Sequence, residues 1–122
     1  MVKAAEERRF IPLTIAVGFV IALSAVAYAG HVPRAVAAHG IDKILHAAMS
    51  FTLTMLLGRA LRGRAWLAGL IVFVPLAIDE YLQRFSASRS SDWADLIADV
   101  LGIALAIALS RARRASRIGD DR

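Results

Sequence analysis

Residues 10–30 read FIPLTIAVGFVIALSAVAYAG, a run that contains no charged side chain. A helix rises about 1.5 Å per residue, so about 20 apolar residues match the hydrocarbon thickness of one bilayer crossing. Lys3, Arg8 and Arg9 precede the run, and such basic flanks are typical of the cytoplasmic side of a membrane span. The segment therefore predicts a transmembrane helix at the start of the chain.

The end of this run leaves one alternative open. Residues 27–29 read Ala-Tyr-Ala, the small-x-small pattern of a signal-peptidase site. The apolar stretch is longer than the roughly 7–15 residues of a signal-peptide core. We therefore expect the first helix to be retained, with cleavage as the alternative.

The composition of the whole chain also indicates a membrane protein. Of its 122 residues, 58% are hydrophobic, and the mean hydropathy is +0.59. A water-soluble domain of this length would need more polar surface, because small domains leave a large share of their area exposed. Cysteine is absent, which excludes disulfides, thiolate metal sites and a cysteine nucleophile. We expect one membrane domain over residues 1–122, without a cofactor.

The net charge of +5 could suggest a nucleic-acid partner. The basic residues, however, lie in short clusters at the ends of apolar runs, as membrane topology requires. With the N-terminus inside, eleven of the fifteen Lys and Arg residues lie on the cytoplasmic side and four outside. The positive-inside rule therefore places both termini in the cytoplasm, and we expect no nucleic-acid partner.

Three further apolar runs, at residues 44–58, 65–78 and 100–110, are shorter than the first. They reach about 23, 21 and 17 Å, against a hydrocarbon thickness near 30 Å. Each helix must therefore continue through neighbouring polar residues. The predicted fold is an all-α bundle of four transmembrane helices, with both ends inside, at about residues 10–30, 42–58, 65–83 and 93–110.

The polar residues that shorten these three helices all fall at the extracytoplasmic end. Ionisable groups at membrane depth cost about 2.5–3.5 kcal/mol each, so they usually face a bundle interior or a water-filled cavity. Three sets within this layer have members three or four positions apart, so that each set shares one helix face: Asp42 with His46, Glu80 with Gln83, and Asp92 with Asp95 and Asp99. The predicted ligand-binding residues of this layer are Asp42, Lys43, His46, Glu80, Gln83, Arg89, Asp92, Asp95 and Asp99.

Two of the open interpretations of this layer involve a bound ligand. Lys43, Arg89 and a protonated His46 could donate hydrogen bonds to an anion such as a lipid phosphate, with the carboxylates holding them in place. Alternatively, His46, Glu80 and the aspartates of the last helix could hold a divalent metal ion. We favour the anion over the metal.

Two other interpretations need no ligand of this kind. Asp42, His46 and Ser50 stand at i, i+4 and i+8 and copy the composition of a hydrolytic triad. Residues on one straight helix rarely reach the geometry that a triad needs. In the remaining interpretation, the charged groups are buried ion pairs that specify helix register.

Two further patterns concern packing and anchoring. Small residues recur every four positions in the last helix, which lets helix backbones approach closely in lipid; they are Ala98, Gly102, Ala106 and Ser110. Residues 111–117 contain four arginines, and we expect them to stop transfer and to anchor the chain to anionic lipid. Trp66, Tyr81 and Trp93 are expected to be interfacial anchors.

Three polar motifs occur in order: DKxxH at residues 42–46, DExxQxF at 79–85 and RxxDxxDxxxDxxG at 89–102. Together they resemble the VanZ-like family of small bacterial membrane proteins, which is related to a teicoplanin-resistance accessory. Residues 86–88 read Ser-Ala-Ser, where that family often has Pro-Gly. The family's characteristic polar positions correspond to Asp42, Lys43, His46, Glu80, Gln83, Arg89, Asp95 and Asp99.

The resemblance implies a multi-pass protein of the bacterial cytoplasmic membrane whose polar pocket faces the extracytoplasmic side. It also implies an accessory role in cell-envelope glycan metabolism or teicoplanin-type glycopeptide resistance. We expect binding of an anionic or lipid-linked ligand, such as an envelope precursor or a polyprenyl phosphate. One alternative is an enzyme acting on a lipid-linked phosphate, with His46 or Glu80 as acid or base. The other is a structural helper with a membrane-protein partner.

Overall fold

The computed structural model describes residues 7–8, 10–28, 40–85 and 92–120. These residues form four long helices and no strand, which confirms the all-α prediction. The helices are α1, Ile11–Tyr28; α2, Ile41–Ala60; α3, Ala65–Gln83; and α4, Trp93–Asp120. Arg89, His31 and His39 lie outside the described residues.

The helices continue through the polar residues that bound the apolar runs. α2 has 20 residues and α3 has 19, which corresponds to about 30 and 28 Å. α3 also passes through Pro75 without ending. α4 does not stop at the predicted residue 110 but runs to Asp120, because the Arg and Ala residues that follow are good helix formers.

Two of the described helical segments are long and apolar enough to cross a membrane, Ala65–Gln83 and Trp93–Gly119. Several large apolar side chains on the helices are more than half exposed; they include Ile15, Phe19, Ile44, Leu70, Val74, Leu101 and Leu105. A surface of this kind suits lipid better than water. The chain is therefore a helical protein compatible with a membrane.

The closest helix pair is α2 and α4, while α3 contacts both of them and α1 contacts α2. Paired residues on α2 and α4 are separated by 52 to 55 positions from Lys43–Asp95 to Met55–Ser110. A constant separation of this kind means that the two helices run parallel. α3 runs in the opposite direction and packs against both of them.

Gly102 permits the close approach of α2 and α4. A Cβ atom at this position would collide with the Ala47 carbonyl oxygen and the Ser50 hydroxyl. Ala98 and Ala106, one turn to either side of Gly102, are also buried. The small residues at intervals of four thus form the α4 side of this contact, as close backbone packing requires.

The apolar core lies below the polar end of the bundle. Leu53, Val72 and Ile103 form its centre, one residue from each of α2, α3 and α4. Ala16 and Val20 of α1 pack against this centre. The first helix is therefore part of the packed structure.

Candidate functional site

One end of the bundle gathers ionisable and amide side chains from three helices. α2 contributes its first turns, α3 its last turn, and α4 its first two turns together with the residue before it. We call this group the acidic cluster: Asp42, Lys43, His46, Asp79, Glu80, Gln83, Asp92, Asp95 and Asp99. It contains every predicted ligand-binding residue that the structure describes. Asp79 is an addition to that set.

Lys43 lies at the centre of the acidic cluster. Its Nζ atom is 2.8 Å from Oδ2 of Asp42, 2.6 Å from Oδ2 of Asp92 and 2.6 Å from Oδ1 of Asp95. An ammonium group has three N–H donors, and each of them has its own carboxylate here. Lys43 therefore gathers the three carboxylates, and it has no donor left for the anion that the sequence analysis assigned to it.

His46 faces α4 with both ring nitrogens. Nδ1 is 3.2 Å from Oδ2 of Asp99, and Nε2 is 3.8 Å from Oδ2 of Asp95. Asp42 contacts Lys43 instead of the imidazole. Ser50 donates its hydroxyl to a backbone carbonyl of its own helix. The Asp42-His46-Ser50 triad is therefore not assembled, because successive turns of α2 bring its side chains to different partners.

The end of α3 is tied to the start of α4 by a hydrogen bond. The Asp92 amide donates to Oε1 of Glu80 at 2.5 Å. Within α3, Nε2 of Gln83 donates to Oδ2 of Asp79 at 3.0 Å. Glu80 is 6% exposed and Gln83 1%. The buried Glu80 carboxylate therefore links α3 to the residue before α4.

Arg84 forms a second link at the rim of the acidic cluster. Its guanidinium carbon lies 5.6 Å from the ring centroid of Tyr81 and 5.0 Å from that of Trp93. Both distances are within the range of cation–π attraction. Sequence reasoning treated the two aromatic residues as membrane anchors and did not single out Arg84. The i, i+3 spacing of Tyr81 and Arg84 is the signal that could have found this contact.

Asp92 stands outside the helices at the mouth of the acidic cluster. Its Oδ1 atom accepts a hydrogen bond from the Ala94 amide at 2.9 Å, so it caps the N-terminus of α4. The hydrogen bond from the Lys43 ammonium, followed by that from the Ala94 amide, holds the pKa of the Asp92 carboxyl below its usual range. Asp92 therefore combines a helix cap with an ion pair.

The acidic cluster has more acceptors than donors. Three of its buried side-chain oxygens have no hydrogen-bond partner among the described residues: Oδ1 of Asp42, Oε1 of Gln83 and Oδ1 of Asp99. A buried polar atom without a partner costs about 1–3 kcal/mol, and more when it is charged. The cluster is therefore suited to a group that donates hydrogen bonds.

The metal interpretation lacks a donor set in the part of the chain that the structure describes. No three His, Asp or Glu residues are arranged there to hold a metal ion. The position between the carboxylates of Asp42, Asp92 and Asp95 is filled by the Lys43 ammonium. The positive charge at this centre comes from the protein itself.

No curated protein and no solved structure is significantly similar to this chain. The VanZ/LLP1 family model, in contrast, matches residues 3–114, which include all four helices up to the arginine-rich end of α4. This match confirms the resemblance that the three polar motifs indicate. The chain belongs to the VanZ/LLP1 family.

Proposed function

We propose that this chain spans the bacterial cytoplasmic membrane four times, with both termini in the cytoplasm and the acidic cluster on the extracytoplasmic side. There it binds the headgroup of a lipid-linked envelope precursor through the hydroxyl and amine donors of the headgroup. In this role it is an accessory in cell-envelope glycan metabolism or in teicoplanin-type glycopeptide resistance.

The unpaired buried acceptors of the acidic cluster carry this proposal. Oδ1 of Asp99 and Oε1 of Gln83 belong to buried residues. Asp99 is 2% exposed and Gln83 is 1% exposed. Sugar hydroxyls and amines are donors of the kind that these oxygens need. A ligand that supplies donors would remove the cost of leaving buried acceptors unpaired.

The internal pairs of the acidic cluster support its use as a preformed site. Lys43 and His46 hold the carboxylates of α4 in place, so their positions are ordered before a ligand binds. The acceptors are buried, so the groups that cover them must move when the ligand enters. The anionic part of a lipid-linked ligand requires a different cation, because the donors of Lys43 are occupied. We assign that role to Arg84, at the rim, and to Arg89, which lies outside the described residues.

The length and composition of α3 and α4 suit a membrane span, and we extend this assignment to α1 and α2. α1 is apolar and presents Ile15 and Phe19 outward, and its other face packs against the core of the bundle. α2 has the length of one crossing, at about 30 Å, and it contacts each of the other three helices. Retention of α1, and not its cleavage, agrees with this packing.

The proposal is tested by thermal unfolding of the detergent-purified full chain with two probes. One is a polyprenyl-pyrophosphate-linked amino sugar, and the other is a polyprenyl phosphate without sugar. Only a ligand that binds the folded state preferentially raises its stability. We expect the sugar-bearing probe to stabilise the protein more, and Asp99→Asn to weaken its binding roughly tenfold through the loss of one charge-assisted hydrogen bond.

Glu7→Gln, at an exposed residue before α1, is the matched control because it also removes one carboxylate charge. It should leave the binding of both probes unchanged. Equal stabilisation by the two probes would contradict recognition through sugar donors. Equal effects of Asp99→Asn and Glu7→Gln would contradict the assignment to the acidic cluster.

A second candidate function is hydrolysis or transfer at a lipid-linked phosphate. The observation that favours it is the His46–Asp99 pair, since a buried carboxylate that orients an imidazole is a common feature of general acid–base sites. Glu80, the other candidate, is held by the Asp92 amide. Product formation from the sugar-bearing probe by the unmodified protein, lost in His46→Gln, would support this function over binding alone.

A further inference from the structure

A groove lined by arginines lies at the opposite end of α2 and α4 from the acidic cluster. Its volume is about 360 Å³, and five of its eight lining residues are arginines. We call it the arginine groove; its arginines are Arg59, Arg62, Arg113, Arg114 and Arg117. Sixteen residues of helix separate Lys43 from Arg59, or about 24 Å, so the two sites are distinct.

The turn between α2 and α3 builds one wall of the arginine groove. The Gly63 amide donates to the Gly58 carbonyl at 2.7 Å, and this closure places Arg62 and Gly63 in the left-handed region, at φ 56° and 83°. Nη2 of Arg114 then donates to the Arg62 carbonyl at 3.2 Å. The Arg114 guanidinium lies so close to Gly63 that a Cβ atom there would be 2.6 Å from Nη2.

Arg62 occupies a backbone conformation that favours glycine. A left-handed conformation at this position is common where a helix ends, but the residue there is usually Gly or Asn. A branched or long side chain in this region carries a steric cost. Despite this cost the residue at this position is an arginine, and its guanidinium is one of the five at the groove.

No acidic residue is among those that line the arginine groove. The remaining three lining residues are Met55, Gly63 and Ser110, none of which is acidic. Guanidinium groups present planar pairs of N–H donors that match the oxygens of phosphate. Arg113 and Arg117 are four residues apart on α4, so they share a face and point their charges at the same volume.

We propose that the arginine groove binds a phosphate group, supplied either by the headgroup of an anionic lipid or by a soluble phosphate compound. The inference does not depend on the proposed function of the acidic cluster. It differs from a general attraction between a basic tail and anionic lipid, because Arg111 belongs to the same tail but does not line the groove. The groove therefore predicts unequal roles for neighbouring arginines of α4.

The experiment measures thermal unfolding of the detergent-purified full chain at matched ionic strength. The soluble probe is pyrophosphate, compared with chloride. The lipid probe is dihexanoyl-phosphatidylglycerol, compared with dihexanoyl-phosphatidylcholine. We expect at least one of the two phosphate probes to raise the unfolding temperature, and Arg113→Gln or Arg117→Gln to weaken its binding roughly tenfold. Arg111→Gln is the matched control and should bind as the unmodified protein does.

The Arg62→Gly variant separates a loss of binding from a loss of folding. Glycine fits the left-handed backbone at this position, so this variant should unfold at the same temperature as the unmodified protein or above it, yet bind the probe more weakly. A shift with pyrophosphate would identify soluble phosphate chemistry, and a shift with phosphatidylglycerol alone would identify a lipid headgroup. Either result supports the proposal.

The proposal is overturned if neither probe shifts the unfolding temperature, or if Arg111→Gln weakens binding as much as Arg113→Gln does. The second result would mean that the arginines act only as a diffuse charge or as partners of the helix dipole. Asp99→Asn should not change the response to either probe. Failure of the acidic-cluster proposal would therefore be distinguishable from failure of this one.

Discussion

At one end of the α2–α4 pair, a single lysine is surrounded by three carboxylates, whereas at the other end five arginines share a groove that no carboxylate lines. The first end has internal partners for its cation and is left with unpaired acceptors. The second end carries guanidinium donors, and no carboxylate is among the residues that line it. The same two helices thus present hydrogen-bond acceptors at one end and hydrogen-bond donors at the other, about 24 Å apart. A donor-rich ligand suits the first end and an acceptor-rich anion suits the second.

The parallel contact of α2 and α4 creates both ends, so breaking it should have the largest effect. Gly102→Ala places a Cβ atom against the Ala47 carbonyl oxygen and the Ser50 hydroxyl. Because a backbone atom cannot rotate away, we expect a loss of about 3 kcal/mol in the free energy of unfolding, the upper end of the range for overpacking. Both the acidic cluster and the arginine groove should lose their ligand responses together.

Gly119→Ala in the same helix is the matched control for this prediction. A Cβ atom at Gly119 would have no atom within 4 Å, and Gly119 is one residue from the end of α4, so the substitution should change the free energy of unfolding by less than about 0.5 kcal/mol. Thermal unfolding followed by circular dichroism in detergent measures both variants. If Gly102→Ala unfolds at the same temperature as the unmodified protein, the α2–α4 contact is not as close as described.

Removal of one cation should lower the free energy of unfolding much more at the acidic cluster than at the arginine groove. Lys43→Met leaves the carboxylates of Asp42, Asp92 and Asp95 without their shared partner. Loss of one member of a buried ion pair costs about 3–5 kcal/mol. Since the Lys43 side chain is 31% exposed, we expect about 2 kcal/mol, less than for a fully buried pair.

Arg113→Gln, the counterpart at the other end, removes one of several like charges. We expect the free energy of unfolding to change by less than about 0.5 kcal/mol, as for most exposed positions. Thermal unfolding of the two variants in the same detergent compares them directly. Equal destabilisation by Lys43→Met and Arg113→Gln would show that the two ends do not differ in the way their charges are paired.

The sequence predicts much of this arrangement from spacing alone. The i, i+3, i+7 positions of Asp92, Asp95 and Asp99 indicate one helix face, and Asp42 and His46 indicate another. Spacing does not indicate which face meets which. That His46 meets Asp99 instead of Asp42 depends on the register of two helices that are not adjacent in sequence, and that register depends on close packing at Gly102.

The arginine groove could have been inferred but was not. Sequence reasoning used Arg59 and Arg62 only as topology signals, and it interpreted the arginines of residues 111–117 as a stop-transfer signal and an anionic-lipid anchor. In a bundle where α3 runs antiparallel to α2 and α4, the C-terminal ends of α2 and α4 lie on the same side. What the sequence cannot supply is the left-handed turn at Arg62 and Gly63, since a positive φ at an arginine has no clear sequence signal. That turn brings Arg114 to the end of α2.

The smallest expected effect concerns pH at the mouth of the acidic cluster. The pKa of Asp92 is lowered in the folded protein by Lys43, so the unfolded chain binds this proton more readily. The stabilisation from Asp92 is therefore present at neutral pH, and it is lost as pH falls below the ordinary value of 3.8 and through the folded pKa. Asp92→Asn should lower stability slightly at neutral pH, and the difference should shrink toward acid.

Asparagine caps a helix as well as aspartate does, so Asp92→Asn keeps the cap on α4 and removes only the charge. Unfolding temperatures measured from neutral to acid pH, in the unmodified and Lys43→Met backgrounds, separate the ion pair from the cap. The pH-dependent difference should be smaller without Lys43, because the Ala94 amide is then the main group that still favours the charged form. An undiminished difference in the Lys43→Met background would mean that the cap, and not the lysine, holds the charge of Asp92. The gathering role of Lys43 would then be limited to Asp42 and Asp95.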